Sequence, residues 1–145
     1  MEATLKLSPE TAPQLAERSI AFVEQKFGYR LIYTPESLIL VDAIVDKIRE
    51  TGASEQQAAG LLCGLGCYAG EVFVRHARAS WRAAAQIGAG GAYRFQIVLA
   101  LPGAIACDPI GRVFQRFGGG PADSVALLFD GVVDRPAEAA GPRAT

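Results

Sequence analysis

Residues 58–74 form the segment that most restricts how this chain can fold. The segment reads AAGLLCGLGCYAGEVFV, which is long enough for a helix, is apolar or small on every side and carries one charge, on Glu71. A helix that is apolar all round belongs in a protein core, and a carboxylate buried in such a helix requires hydrogen-bond or charged partners. The sequence therefore predicts a central helix in which Glu71 is either a buried structural anchor or the centre of a site.

The composition narrows the class of protein. A chain of 145 residues, of which 50% are hydrophobic, fits one globular domain with one core. Its 14 basic and 15 acidic residues nearly cancel, and no segment concentrates Lys or Arg on the scale of a phosphate-binding patch. We therefore expect no nucleic-acid partner.

Three further patterns indicate a cytoplasmic protein. The chain starts without the basic and apolar regions of a secretory signal. The uncharged run 58–70 has 13 residues, which is too short to span a bilayer, so we expect no membrane partner. The 3 cysteines lie among hydrophobic residues, which favours free, buried thiols in a reducing compartment over a disulfide framework.

Capping signals and hydrophobic spacing predict three helices in the first half of the chain. The first two each open with Ser or Thr followed by Pro and Glu, with Ser8 as the first N-cap, and each is stopped by a glycine. A capping box, Ser54-x-x-Gln57, opens the third. The predicted helices span residues 8–28, 34–52 and 54 to about 79.

The second half is expected to contain shorter elements. Aromatic and β-branched residues on both sides of the glycine cluster 88–91 predict a β-hairpin, and a Pro102-Gly103 turn precedes a third short strand. Pro109 opens one short helix, and Asp123-Ser124 caps a last one. The predicted strands are 82–87, 93–99 and 104–107, and the predicted helices are 109–117 and 125–129.

These elements predict an α+β fold. Three N-terminal helices pack with a small antiparallel sheet, made of a hairpin and a short strand, and with one or two short C-terminal helices. We expect a single domain over residues 1–133. Residues 134–145 are rich in Ala, Gly and Pro with no periodic apolar pattern, so we expect a disordered tail there.

A helical wheel divides the third helix into two faces. One face aligns Gly60, Gly64, Cys67 and Glu71, and because each glycine inside a helix costs about 0.5–1 kcal/mol, such a line predicts close packing or a ligand there. We expect Glu71 to be structural and ionised, held by Arg75 one turn later or by backbone amides of a crossing segment. The opposite, core-facing side consists of Leu61, Leu62, Leu65, Ala69, Val72 and Phe73, with His76 near its end.

Several patterns that would indicate a cofactor, a metal or catalysis are incomplete. Gly64-x-Gly66-x-x-Ala69 matches a dinucleotide fingerprint but follows a helix cap rather than a strand. Cys63 and Cys67 are one helical turn apart, but His76 lies opposite Cys67 on the wheel, so the sequence predicts no metal ligand set. The lone His76 is expected in the core or at its boundary. The sequence therefore predicts no cofactor and identifies no catalytic residue.

Cys107-Asp108-Pro109 lies at a strand-to-helix junction, where a thiol can have a lowered pKa. The sequence favours a simpler role for Asp108, as the N-cap of the helix that Pro109 opens. Arg112 and Arg116 follow on that helix. They could bind an anion or a carboxylate such as Glu71, but surface positions are the default expectation for both.

The stretch 66–72, GCYAGEV, then Trp81, then Asp108-Pro109 with Arg112 and Arg116, resembles a family of small uncharacterised bacterial domains. Those domains pair a G-x-Y-x-G-E-hydrophobic helix with a tryptophan, a short sheet and a proline-led helix. The resemblance covers about residues 34–129. It implies an α+β fold, assigns no activity, and directs attention to Glu71, Tyr68 and Trp81.

Two functions follow from these patterns. We expect a small non-enzymatic binding or interaction module that self-associates, because the polar residues needed for catalysis do not converge while apolar residues are plentiful. The alternative is a small-molecule sensor or small enzyme with Glu71 in a pocket together with Tyr68, Trp81 and an arginine. The candidate ligand-binding residues are Glu71, Tyr68, Arg75, Trp81, Asp108 and Arg112.

Overall fold

The computed structural model describes residues 6–88 and 94–133. Within them the chain forms five helices and one antiparallel sheet in the order β1-β2-β3, so the predicted α+β fold is confirmed. The elements are α1 (Ala12–Phe27), α2 (Ser37–Glu50), α3 (Glu55–Ala77), β1 (Ser80–Ala83), β2 (Ile97–Leu101), β3 (Ile105–Cys107), α4 (Pro109–Gly119) and α5 (125–133), with 3₁₀ turns at Ala84–Ile87 and Gly120–Ala122.

The first two helices begin later than predicted. Ser8 does not cap α1: residues 8–11 form a turn in which the Ser8 amide donates to the Thr11 hydroxyl at 2.9 Å, and the helix starts only after Thr11. At α2 the Thr34 hydroxyl likewise accepts from the Ser37 amide at 3.2 Å, closing a turn before the helix. In both cases the Ser/Thr-Pro-Glu signal marks a turn that precedes the helix.

The boundaries of α3 match the prediction closely. The Ser54 hydroxyl accepts from the Gln57 amide at 3.1 Å, and the Gln57 side chain accepts from the Ser54 amide at 2.8 Å, which confirms the capping box. The helix ends at Ala77, because Arg78 adopts the left-handed conformation with φ 59°. Such a conformation is usual for glycine at this position and uncommon for arginine.

The sheet pairs β1 with β2 and β2 with β3, with Trp81 opposite Leu99. The predicted first strand, 82–87, is partly wrong: it is Ser80–Ala83, and the residues after it turn into a 3₁₀ helix that Gln86 closes by accepting from the Ala83 amide. The predicted strand 93–99 is shifted to Ile97–Leu101. Most of the glycine turn and the predicted tail, 134–145, lie outside the described residues.

Helix α3 forms the centre of the fold, with α1 and α4 packed against it. The predicted division into a core face and a groove face is wrong over residues 64–73, because every one of them is buried. His76, expected in the core or at its boundary, is exposed. By length and composition α3 is the one described helix apolar enough to cross a membrane, and 67% of its most apolar window is buried inside this fold.

Three glycines of α3 allow neighbouring elements to approach its backbone. A Cβ on Gly64 would lie 3.1 Å from Ser19 Cβ of α1, and one on Gly66 would lie 2.5 Å from Ile110 Cα of α4. A Cβ on Gly70 would lie 2.1 Å from the Trp81 ring. The close packing predicted for the small residues is therefore present on two sides of the helix, with Gly64 on one side and Gly66 and Gly70 on the other.

Candidate functional site

Glu71 is buried beside Trp81. Its side chain is 7% exposed, and its Oε2 accepts a hydrogen bond from Trp81 Nε1 at 2.8 Å. The indole reaches this position because Gly70 presents no side chain to it. Among the described residues the hydrogen bond comes from this indole, and not from Arg75 or a backbone amide as predicted.

Arg75 stacks on an aromatic pair instead. Its guanidinium carbon lies 3.6 Å from the centroid of the Tyr33 ring, and Tyr33 stacks on Tyr68 with centroids 5.0 Å apart. This cation–π contact leaves Arg75 exposed to solvent on its other side. Arg75 therefore covers the aromatic pair rather than neutralising Glu71.

Tyr68 anchors the loop between α1 and α2. Its buried hydroxyl lies 2.6 Å from the Ser37 hydroxyl and accepts from the Tyr33 amide at 2.9 Å. Burial raises the pKa of Tyr68, so the phenol stays protonated and available as a donor. Tyr33 itself has φ 61°, and its carbonyl oxygen lies 2.8 Å from His76 Nε2. The hydrogen bonds of the Tyr33 amide and carbonyl, together with stacking on Tyr68, thus hold Tyr33 in an uncommon backbone conformation.

Asp108 and Arg112, the other two predicted site residues, lie apart from Glu71 beside two cavities along α4. Asp108, Gly111 and Gln115 line both cavities. The larger, of about 560 Å³, is also lined by Glu55, Arg94, Phe114, Gly118, Gly119 and Asp123. The smaller, of about 270 Å³, is also lined by Ala106, Cys107, Arg112, Leu128 and Val132.

Asp108 acts as the N-cap of α4, as predicted: its Oδ1 accepts from the Gly111 amide at 2.8 Å. Burial raises the pKa of Asp108, although the Gly111 amide and Arg112 act in the opposite direction. Burial and the neighbouring Asp108 raise the pKa of Cys107 to about 12. The Cys107 thiol therefore stays protonated at neutral pH, and the helix N-terminus does not activate it as a nucleophile.

An ion pair closes one edge of the larger cavity. Arg94 pairs with Glu55, and its guanidinium carbon lies 4.6 Å from the centroid of the Phe114 ring. Both side chains of the pair are about half exposed, at 52% and 43%, so the pair contributes little to stability.

A third cavity, of about 520 Å³, opens between α1 and α3 and is named here the α1–α3 groove. Phe22, which is 44% exposed, stands at this groove. A Cβ on Gly60 would meet no heavy atom within 4 Å. The groove is lined by Leu15, Arg18, Ser19, Ala21, Phe22, Gln25, Gly60, Leu61 and Gly64.

A second group of polar residues, which was not predicted from the sequence, is named here the Asp42 cluster. It consists of the buried residues Asp42, Arg116 and Ser124 and the partly buried Asp46. Asp42 is 6% exposed and accepts from the Ser124 hydroxyl at 2.6 Å and from the Val125 amide at 2.8 Å. A carboxylate of α2 therefore caps α5. A signal was present, since Asp42 lies on the apolar stripe of α2 with Leu38, Val41 and Val45.

Arg116 corrects the expectation of a surface position. It is 9% exposed and donates two hydrogen bonds to Asp46, from Nε at 2.9 Å and from Nη2 at 2.8 Å. Its remaining nitrogen donates to the Pro121 carbonyl at 3.3 Å. Arg116 does bind a carboxylate, but the carboxylate is Asp46 and not Glu71. The bidentate geometry fixes the orientation of α4 against α2.

A catalytic site requires reactive side chains that face a cavity able to hold the substrate. Glu71, Tyr68 and Trp81 line none of the three cavities, and among the described residues no group of three or more His, Cys, Asp and Glu could hold a metal ion. No family model, curated protein or solved structure matches this chain. The resemblance to small bacterial domains therefore stays a prediction.

Proposed function

We propose that this chain is a non-enzymatic interaction module that forms a homodimer through the α1–α3 groove. The observation that carries the proposal is Gly60. A glycine inside a helix costs about 1 kcal/mol relative to alanine, and the other glycines of α3, which are Gly64, Gly66 and Gly70, each have a heavy atom within 3.1 Å of the place where a Cβ would lie. Gly60 has no such neighbour among the described residues, yet it lines the groove.

A second copy of the chain fits this groove better than an unrelated partner. A two-fold interface uses the same patch on both subunits, so a protruding group and a depression must lie within that patch. Phe22 supplies the protrusion, and the open backbone around Gly60 supplies the depression. Insertion of each Phe22 beside the partner's Gly60 would bury an aromatic ring that is 44% exposed in the monomer.

The proposed setting is the bacterial cytoplasm. Its support is the state of the thiols, since Cys63, Cys67 and Cys107 are all free. The alternative function, a sensor or enzyme built on Glu71, has weaker support. The Trp81 indole donates to Glu71, and neither residue lines any of the three cavities described above.

The dimer can be tested by sedimentation equilibrium with matched surface variants. We expect the wild-type protein to sediment as a dimer and Phe22→Asp to sediment as a monomer, because a charge would be buried against the partner. Leu127→Asp and Ile39→Asp are the controls, since these side chains are 64% and 65% exposed outside the groove. Both controls should remain dimers.

Gly60→Leu provides a second test that spares the fold. The position is open in the monomer and leucine is a better helix former than glycine, so the monomer should be at least as stable. The dimer should be lost. A wild-type protein that stays monomeric up to about 1 mM, where association is worth only about 4 kcal/mol, would refute the proposal.

A further inference from the structure

The larger of the two cavities beside α4, of about 560 Å³, is named here the α4 cavity. Its floor is one face of the helix, on which Gly111, Gln115, Gly118 and Gly119 recur at helical spacing. A Cβ on Gly118 would meet no heavy atom within 4 Å, so the backbone lies open to the cavity there. The volume falls in the range of small-molecule sites.

A carboxylate lies at each end of this floor. A Cβ on Gly111 would clash with Oδ2 of Asp108, and a Cβ on Gly119 would clash with Oδ2 of Asp123. Each glycine therefore leaves room for a carboxylate against the helix. Gly111 and Gly119 are separated by about 12 Å along the helix axis, at 1.5 Å per residue. The two carboxylates are thus too far apart to share one small ion.

Both carboxylates keep acceptor capacity. Oδ1 of Asp108 accepts from the Gly111 amide at 2.8 Å, but within residues 6–88 and 94–133 no hydrogen bond reaches its Oδ2 or the side chain of Asp123. Arg112 acts on Asp108, and Arg116 on Asp123, through charge alone. The Arg116 guanidinium donates instead to Asp46 and to a backbone carbonyl.

The side wall of the α4 cavity already holds a cation. The Arg94 guanidinium pairs with Glu55, and its carbon lies 4.6 Å from the centroid of the Phe114 ring. A carboxylate beside an aromatic face suits guanidinium and ammonium groups. The chain's own Arg94 therefore shows which ligand chemistry this wall accepts, and it neutralises Glu55 while leaving Asp108 and Asp123 for a ligand.

We propose that the α4 cavity binds a linear aliphatic polyamine, with one ammonium group at Asp108 and another at Asp123. The lining side chains carry three carboxylates and one guanidinium, so their charges complement a dication. The methylene chain would lie over Gly118 and beside Phe114. The inference does not rest on the proposed dimer, because none of these residues lines the α1–α3 groove.

Isothermal titration calorimetry of the full chain with spermidine, at constant ionic strength, tests the site. We expect saturable binding of one spermidine per chain. Butylamine carries a single ammonium group and can satisfy only one of the two carboxylates. It should therefore bind at least about tenfold more weakly than spermidine.

Three isosteric variants test the two carboxylates. Asp108→Asn and Asp123→Asn should each weaken spermidine binding at least about tenfold, and asparagine can still cap α4, so the fold is kept. Asp130→Asn is the matched control, because Asp130 is exposed on α5 and lies outside the cavity. It changes the net charge of the chain equally and should leave the affinity unchanged.

Gly118→Leu blocks the floor without touching a charge. The position is open and leucine is the better helix former, so the fold should be at least as stable while spermidine binding is lost. The proposal is overturned if wild-type protein does not bind spermidine at millimolar concentration, or if butylamine binds equally well. It is also overturned if Asp130→Asn weakens binding as much as the cavity variants, or if Gly118→Leu binds normally.

Discussion

The Glu71–Trp81 pair and the Asp42 cluster solve the same physical problem in different ways. Both bury carboxylates, which is costly unless donors are supplied. Glu71 receives one neutral indole hydrogen bond from a residue 10 positions later. The carboxylates of the Asp42 cluster receive a hydroxyl, backbone amides and a guanidinium from residues 70 to 84 positions away.

The Asp42 cluster connects more elements of the fold than the Glu71–Trp81 pair does. The Glu71–Trp81 pair joins α3 to the strand directly after it, whereas the Asp42 cluster ties α2 to both α4 and α5. More donors and longer-range connections make the Asp42 cluster the more important for stability. Glu71 attracts attention in the sequence because it is the only charge in its segment, but the structure gives it fewer connections.

The largest effect is expected from Asp42→Ala. The substitution leaves the Ser124 hydroxyl and the Val125 amide without an acceptor in a buried place, so it should lower the free energy of unfolding by about 3 kcal/mol. Urea denaturation measures this loss. Asp42→Asn is the matched control, since its amide oxygen can still accept, and it should lose less. Equal stability of wild type and Asp42→Ala would reverse the ranking of the two groups.

A smaller effect is expected at the Glu71–Trp81 pair. Glu71→Ala leaves the partly buried indole N–H without an acceptor and should cost about 2 kcal/mol, while Glu71→Gln keeps an acceptor and should cost about half as much. Trp81→Phe, which keeps a ring over Gly70 but removes the N–H, completes a double-mutant cycle with Glu71→Ala. Thermal unfolding gives all four values. A loss at Glu71 larger than that at Asp42 would contradict the comparison.

The smallest effect is expected on the stability of the fold at low pH. The hydrogen bonds from Arg116 lower the pKa of Asp46 from its ordinary value of 3.8, although burial opposes them. A lowered folded-state pKa means that this contribution is present above the ordinary pKa and is lost as the pH falls through the lowered one.

Arg116→Met should remove this part of the pH dependence. Melting temperatures recorded between about pH 5 and pH 2 should fall less steeply for the variant than for wild type. Asp46→Asn is the control and should behave like Arg116→Met. Identical slopes for wild type and both variants would show that the Asp46–Arg116 contact does not contribute to acid stability.

Features encoded within a few residues could be predicted from the sequence. The capping box at Ser54 and Gln57, the cap at Asp108 and the glycine that ends α1 all lie next to the backbone groups they serve. The order of the elements and the α+β fold follow from such local signals together with hydrophobic spacing.

Features that depend on partners far away in the sequence could not be predicted. Arg116 reads as a surface residue because its partner Asp46 is 70 positions away. The helical wheel places His76 on the core-facing side of α3. A wheel shows the direction of each side chain but not where along the helix the core ends, and α3 extends beyond the core at His76. Glu71 was correctly placed in the interior, but its donor, the Trp81 indole, is supplied by the chain reversal after α3 and the gap left by Gly70.

The capping of α5 by Asp42 also sets an order of assembly. A helix as short as α5 is unstable alone in water. The Val125 and Ala126 amides of its first turn donate to Asp42 of α2, while the Leu127 amide donates to the Ser124 hydroxyl. The C-terminal helix therefore gains its stability after the N-terminal helices have docked. In the folded protein, protection of the Val125 amide from hydrogen exchange would consequently depend on whether α2, more than 80 residues earlier in the chain, is docked.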